Sequence, residues 1–338
     1  MLDGKFSMLV LRLLMFTNKK CSDRICIVGL GNHGFTLIAF FVCVHAKKRI
    51  SLVIDPSVRS KKLAERVLKC RHFNTVQDAI EAGEFYGSIA YIASDHMSHT
   101  EHALEAVNRF SAVYVEKPLF VDFSQAQSFR GVFDSDSKVF TGFNRPRAPF
   151  SEILMRELGA QFSVSMIVNG HHLGPDHWYR ADGQGTRVLG NLTHWLDLSV
   201  RLLSVHGLPS SVNIRLVGGV GDDLSVTLTS PDNKIDLLFS ANCEPSDGVE
   251  EFIHWNSTSS IGRILNFQSI TGIRVDRTKF SVKNWSKNVG HQNAVLAPII
   301  GASSDAQVSY ISSLLALKIE QMYVESVSDG LFEFDFGI

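Results

Sequence analysis

Over residues 24–144, short β-branched runs alternate with longer stretches of helical composition, and few folds satisfy that rhythm. RICIVG (24–29) reads as a strand, and GNHGFTLIAFFVCVHA turns and then runs on as an apolar helix. RISLVID (49–55) is the next strand, followed by SVRSKKLAERVLKC (57–70), helical with a charged face. SIAYIAS (88–94), a helix over 100–108, the run VYVEK (113–117), a polar helix over 123–133 and KVFTGFN (138–144) extend the series. Strands buried on both faces are near-continuous apolar runs, and strand–helix–strand units close with right-handed crossovers. The pattern predicts an α/β, doubly wound parallel sheet that binds a nucleotide beyond the carboxyl ends of its strands.

Beyond 144 the rhythm changes. A helix over 150–158, a strand over 162–168, a loop rich in His, Gly and Asp, and a helix over 191–203 lead into SVNIRLVG, LSVTLTS, KIDLLFSA, EEFIHWN and GRILNFQ. Alternating runs joined by Gly, Asp, Asn and Ser turns predict an antiparallel meander with one buried face, closed by a last helix over 306–325. The expected organisation is an N-terminal extension of unknown role (1–20), a dinucleotide-binding domain (21–143), and a substrate-binding and oligomerisation domain (144–338). The extension is either an appended helix or an over-long start with Met8 or Met15 as the true beginning. Its apolar stretch 8–16 resembles a signal h-region, but Arg12 interrupts it and no small-residue cleavage site follows. The apolar stretch 35–46 is shorter than the roughly 20 residues a spanning helix needs, so a buried helix is expected there and no membrane.

With 33 Lys+Arg against 34 Asp+Glu, the net charge of -1 supplies no field to draw a nucleic acid or an acidic membrane. The five cysteines, Cys21, Cys26, Cys43, Cys70 and Cys243, show no C-x-x-C spacing, which predicts a reducing cytoplasm rather than a disulfide framework.

Three motifs carry the chemistry. Gly29-Leu30-Gly31-Asn32-His33-Gly34 satisfies G-x-G-x-x-G after a strand and at a helix start. There Gly29 allows the tight turn, Gly31 lets a pyrophosphate approach, and Gly34 lets helix and strand pack. Asp55 ends the second strand 21 positions on (55 minus 34), where a carboxylate accepts both ribose hydroxyls and repels a 2'-phosphate. NAD is therefore favoured, with NADP admitted because Arg59, Lys61 and Lys62 lie close by. IASDHMSHTEHALEA (92–106) leaves a strand's carboxyl end with Ala93, Ser94, His96 and His99 as candidate cofactor-lining residues. Ser98 is the expected helix cap, with Glu101 in capping-box position.

The second motif, Glu116-Lys117-Pro118, ends an apolar strand. A lysine there can hold the oxygen of a reacting hydroxyl or carbonyl, with Glu116 steadying the ammonium and Pro118 fixing the bend. The third is HHLGPDHWYRADGQGTRVLGNLTHWLDL (171–198). On a helix, Asn191, His194 and Asp197 share one face, and a histidine suits a base that takes an alcohol proton. A zinc site built from His171, His172, His177, His194 and Asp176 is the competing reading. No H-E-x-x-H or comparable spacing supports it, and no metal is expected.

GLGNHG, Asp55, EKP (116–118), GFNRPRAPF (142–150), DHWYRADGQGTRVLGNLTHWLDL and VGH (289–291) together resemble the glucose-fructose oxidoreductase / inositol dehydrogenase / rhizopine catabolism (Gfo/Idh/MocA) family, from about Arg24 onward. The resemblance implies an N-terminal Rossmann domain and a C-terminal α+β domain with a large, open, mostly antiparallel sheet. It also implies homodimers or homotetramers through that sheet, bound NAD(H) or NADP(H), and a sugar, cyclitol or nucleotide-linked sugar as substrate. The HW, glycine-rich, GxxxHxxDL arrangement looks like the branch found in surface-polysaccharide gene clusters. Carried over, Lys117 is the lysine that contacts the reacting oxygen and His194 the catalytic histidine. Asn144, Arg145, His177, Trp178, Arg180, Arg187 and Asn191 are the candidates to grip the sugar. Many members place an aspartate four residues before that histidine, where this chain has Gly190. That departure keeps a second function open, an NAD(P)-binding sensor or regulator without turnover.

Overall fold

The computed structural model describes Leu11 and residues 23–134, 138–218, 223–242, 248–325 and 329–336. The N-terminal extension apart from Leu11, and with it the signal-like stretch, lies outside the described residues, as do Cys21 and Cys243. The chain divides into two compact units. One takes the described residues up to Phe143 together with His291–Tyr310, and the other takes Asn144–Gly290 and the chain from Ile311 onward.

The first unit is built on six parallel strands: β1 (Ile25–Val28), β2 (Leu52–Ile54), β3 (Arg71–Phe73), β4 (Gly87–Ile92), β5 (Phe110–Val115) and β6 (Lys138–Thr141). Their order is β3-β2-β1-β4-β5-β6, so the direction of winding reverses between β1 and β4, the switch point where such sheets bind ligands. The apolar stretch after β1 forms helical segments Gly34–Ala39 and Phe41–His45, with Phe35, Ile38, Ala39, Val42 and Cys43 buried in the main core. Leu11 joins the same core. No helix among the described residues is long and apolar enough to cross a membrane.

The boundary drawn at 143/144 leaves out one excursion. After the second unit, the chain returns with helix His291–Leu296, and Ala294, Val295 and Ala297 are buried in the first unit's core. Buried Tyr91 on β4 fastens that helix by donating its hydroxyl to the Val295 carbonyl at 2.9 Å.

The second unit holds nine strands: β7 (Phe162–Asn169), β8 (Ser211–Gly218), β9 (Leu224–Thr229), β10 (Asn233–Ser240), β11 (Glu250–Ser257), β12 (Ser260–Leu265), β13 (Ser269–Arg274), β14 (Lys279–Lys283) and β15 (Asp329–Asp335). They lie in the order β14-β13-β12-β11-β7-β10-β9-β8-β15. Every neighbouring pair is antiparallel except β7 with β10. The mixed architecture expected from the sequence is borne out. Period-two alternation turns Val164, Met166, Ile214, Leu216, Val226, Leu228, Ile235 and Leu237 inward. Helix Thr193–Leu203 supplies further buried residues, Trp195, Leu196, Leu198 and Leu202.

The Tyr91 contact yields a first prediction. Replacing Tyr91 by Phe leaves the buried Val295 carbonyl without its donor, and the unfolding free energy in a urea titration is expected to fall by about 1–3 kcal/mol.

Candidate functional site

The dinucleotide site grows from the turn after β1. Gly29 sits at φ +90°, and any Cβ there would strike the Ala93 carbonyl. A Cβ on Gly34 would strike the Gly29 carbonyl. Gly31 differs: it is exposed and nothing lies within 4 Å of where its Cβ would stand. Two glycines are thus demanded by the protein's own packing, whereas the open face of the third leaves room for a ligand. Asn32 beside it is also exposed, and its carbonyl accepts from Thr36 Oγ1 at 2.8 Å, closing the first turn of the helix.

Asp55 secures this loop from β2. Its Oδ2 accepts the Leu30 amide and its Oδ1 the Ser57 amide, each at 2.8 Å. A carboxylate offers about four acceptor positions, so two remain for a ribose diol. The half-exposed side chain keeps those positions open to a ligand. An exposed glycine face, a helix start and an anchored carboxylate at the switch point fit NAD.

Beyond β4, the Ala93 amide donates to the Val28 carbonyl at 2.7 Å, tying this strand end to the glycine turn. Ser94 Oγ contacts His102 Nδ1 at 3.0 Å. His96 and His99 are buried. The His99 ring lies 2.7 Å from the Pro118 carbonyl and 3.2 Å from that of Ser94, bridging the ends of β4 and β5. Burial lowers its pKa, against the pull of those carbonyls and of Glu116, and favours the neutral ring. The helix start departs from expectation. Asp95 caps a short turn, His96–Ser98, and the Ser98 hydroxyl donates to Asp95 rather than capping the helix His99–Val107. The acceptor one residue after Ser94 wins because its carboxylate already faces the Ser98 amide at 3.0 Å.

At the end of β5, Glu116 is buried. His33 Nε2 lies 2.8 Å from its Oε1, and the Tyr114 hydroxyl donates to the same oxygen at 2.7 Å. The Lys117 amide donates to Oε2 at 3.3 Å, and a Cβ on Gly142 would come within 2.5 Å of that oxygen. Burial by itself would push this carboxyl up. His33, the Tyr114 hydroxyl and the charge of Lys117 together outweigh it and bring it down to about 2. Lys117 follows at once, half-buried, with a cis bond to Pro118. The hydrogen bonds of Glu116 run to the phosphate-loop histidine, a tyrosine hydroxyl and the lysine's backbone, and the Lys117 charge stabilises the same carboxylate.

In the second unit, Asn144 is buried and accepts from Arg145 Nη1 at 2.9 Å. Buried Arg145 donates to Glu251, through Nε at 2.9 Å and through Nη2, and lies over the Trp195 ring at 5.3 Å. Lys287 neutralises the other Glu251 oxygen at 2.7 Å. Arg187 is likewise buried, donating to the His171 carbonyl at 2.7 Å and covering the Phe239 ring at 5.1 Å. Both arginines therefore brace the unit. The Arg180 side chain lies outside the described residues. His177 is half-buried and Trp178 half-exposed, their rings stacked at 6.0 Å.

The expected helix over 191–203 begins with wider turns, Val188–Leu192, before the regular Thr193–Leu203. Buried Glu320 on helix Ala306–Val324 anchors its start, accepting from the Thr186 amide at 2.7 Å and the Thr186 hydroxyl at 2.6 Å. Burial raises the pKa of this carboxyl despite those donors. Asn191 and His194 are half-buried, one turn apart. Asp197 is buried and occupied elsewhere, by Arg201 at 2.7 Å and Ser312 at 2.8 Å. Among the described residues, no group of three or more His, Cys, Asp or Glu side chains could hold a metal ion.

Glu251, Glu320 and Tyr114 escaped the sequence reading. A lone acid inside an apolar helix (LALKIEQM) or at an inward strand position (Glu251 in EEFIHW) was the available signal for the first two.

The glycine turn, Asp55 and the strand order define an NAD-binding Rossmann unit. The model of the Gfo/Idh/MocA family, described as "Oxidoreductase family, NAD-binding Rossmann fold", matches residues 24–142, and the resemblance read from the sequence is borne out. No curated protein matches the chain. Among solved structures, a dehydrogenase from Chromobacterium violaceum superposes with a TM-score of 0.73 at 14% identity, over 90% of this chain and 94% of its own. A myo-inositol dehydrogenase from Corynebacterium glutamicum gives 0.71 at 16%, over 92% and 99%. GenD2 from gentamicin A biosynthesis, solved in complex with NAD, gives 0.70 at 17%, over 95% and 99%.

The pairing of Glu116 sets a pH-dependent prediction. Its folded value lies below that of an unfolded glutamate, so the ionised group stabilises the fold above the ordinary carboxylate range, and that stabilisation is lost as pH falls toward 2. Glu116→Gln is expected to unfold about 2–3 kcal/mol more easily at pH 7. The difference should close between about pH 4.5 and 2 in a denaturation series.

Proposed function

We propose that the protein is an NAD-dependent dehydrogenase or reductase acting on a secondary alcohol or ketone of a sugar, cyclitol or nucleotide-linked sugar. The observation that carries this reading is the His33–Glu116 pair, which ties the strand end bearing Lys117 to the dinucleotide loop. The likeness to a myo-inositol dehydrogenase and to the NAD-bound GenD2 of gentamicin A biosynthesis supports the substrate class. NAD, when bound, accepts a hydride from the alcohol carbon. In that direction the half-buried Lys117 ammonium donates a hydrogen bond to the substrate oxygen and stabilises the charge developing there. His194 takes the hydroxyl proton, and in reduction it returns that proton to the alkoxide. Asn191, His177 and Trp178 position the ring. The thiols of Cys26, Cys43 and Cys70 support a reducing cytoplasm as the working compartment.

The purified protein, mixed with NAD and a panel of hexoses, cyclitols and nucleoside-diphosphate hexoses, is expected to form reduced nicotinamide absorbing in the near ultraviolet. Lys117→Ala and His194→Ala should each lower kcat/KM by about 10²–10⁴ while calorimetric NAD affinity changes little. Tight NAD binding with no turnover on any member would instead establish the sensor reading.

The same proposal includes assembly through the nine-stranded sheet. On its outer face, exposed Leu238 and Ile167 stand side by side on β10 and β7, with Val217 two strands further along the same row. Adjacent exposed apolar side chains of this kind mark a contact surface. Light scattering should give a dimer or tetramer for the wild type, and Ile167→Lys with Leu238→Lys should shift it toward the monomer.

A further inference from the structure

Two buried polar contacts join the helix that carries His194 to helix Ala306–Val324, whose residues from Ile311 onward belong to the same unit. At the opening of the His194 segment, Glu320 accepts from the Thr186 amide at 2.7 Å and the Thr186 hydroxyl at 2.6 Å, and the Leu189 amide donates to the same carboxylate. Thr186 Oγ1 in turn accepts the Val188 amide at 3.2 Å. The first amides of a helix have no partner within it, and here a side chain from another helix supplies one. Further along, Ser312 donates to Asp197 Oδ1 at 2.8 Å. His194 lies between the two contacts in sequence.

The spacing matches on the two sides. Glu320 and Ser312 stand eight residues apart (320 minus 312), as do Asp197 and Leu189 (197 minus 189), and eight residues of helix rise about 12 Å. The partners follow in opposite order, 312 with 197 and 320 with 189, so the two stretches run antiparallel. Leu192, Leu196, Leu315 and Ile319 of these stretches are buried. Apolar surfaces alone specify a register weakly, whereas a buried polar atom moved off its partner forfeits a hydrogen bond and keeps its desolvation cost. Two such contacts a fixed distance apart select one register. The wide turn Val188–Leu192, where the Thr193 hydroxyl donates to the Leu189 carbonyl at 2.9 Å, lies next to the first contact. Wide turns are rare, occur mostly singly inside α-helices, and are frequent at functional sites.

We propose that Glu320 and Ser312 are positioning residues for His194. Together they clamp its helix in one register and so set where the imidazole stands, acting through the helix rather than on the substrate. The inference rests on the dehydrogenase reading of His194 and adds to it the device that holds the base in place. Proton transfer is the step most exposed to this register, since it needs heavy atoms within hydrogen-bond reach. The residues assigned to NAD all lie in the first unit, so NAD affinity serves as the control.

Initial rates of the NAD-loaded protein on the same sugar panel, in water and in deuterium oxide, test this alongside amide hydrogen exchange. Glu320→Ala and Ser312→Ala are each expected to lower kcat about ten- to a hundredfold, with KM within about twofold and NAD affinity unchanged. The solvent isotope effect on kcat should grow, because proton transfer at His194 becomes the slow step. Glu320→Gln keeps one acceptor oxygen and should recover part of the loss, and Ser312→Ala carries the test where Glu320→Ala fails to fold. An active wild type whose kcat and isotope effect survive both alanine substitutions overturns the inference and leaves the dehydrogenase reading standing. A wild type without turnover overturns that reading. Amides 189–197 that then exchange no faster in either variant overturn the clamp as well, and faster exchange retains it.

Discussion

The first unit depends on one buried carboxylate. Glu116 is charged in a place where burial alone would neutralise it, and it remains so because His33 and the Tyr114 hydroxyl converge on one of its oxygens. A buried charge without partners costs several kcal/mol, so those partners cannot be moved independently. His33 belongs to the glycine turn and Tyr114 to β5. The pair therefore couples the phosphate-binding loop to the strand end that presents Lys117. Gly142 completes the arrangement, since a side chain there would collide with the same carboxylate. His99 adds a second contact between adjacent strand ends, its neutral ring donating to one of two carbonyls, that of Pro118 at 2.7 Å or that of Ser94 at 3.2 Å.

How far the sequence could be read follows from the range of the forces involved. β1, β4 and β5 are buried nearly throughout, so composition alone reveals them, and the glycine turn is legible because two of its three glycines answer to local sterics. β3 is only three residues long and β14 is largely exposed, and neither has an apolar run to betray it. β13 and β15 carry their information in pairing with β12 and β8, which no local window contains. The return of His291–Tyr310 to the first unit is likewise a matter of tertiary packing, since Ala294 and Val295 look no different from residues of any short helix.

The candidate residues divide along the same line. Gly31 and Asp55 stand where spacing put them, with the exposed faces a ligand needs. Arg145 and Arg187 carried charge, and charge alone suggested substrate contact. In the structure each guanidinium is buried, one on Glu251 and Trp195, the other on a carbonyl and the Phe239 ring. Arginine is the cation most easily buried, because its planar donors are satisfied in a fixed fork and its face stacks on aromatic rings. A sequence shows the charge and hides the partner. Asp197 makes the same point with opposite sign. Helical spacing put it on the His194 face, yet both its oxygens serve Arg201 and Ser312.

Asn191 and His194 stand one turn apart on a segment whose opening Glu320 anchors through Thr186. Glu320 accepts from amides at the opening of that segment, where the aligned peptide dipoles favour negative charge. Burial still raises its pKa, so this anchor is retained against a desolvation cost. Rigidity at this point has a chemical use. A proton transfer between an alcohol and an imidazole needs heavy atoms within about 3 Å, and a misplacement of one ångström can cost two orders of magnitude in rate. In the proposed dehydrogenase, a buried carboxylate that fixes the opening of this segment bears on proton transfer at His194 as directly as a group that touches the substrate.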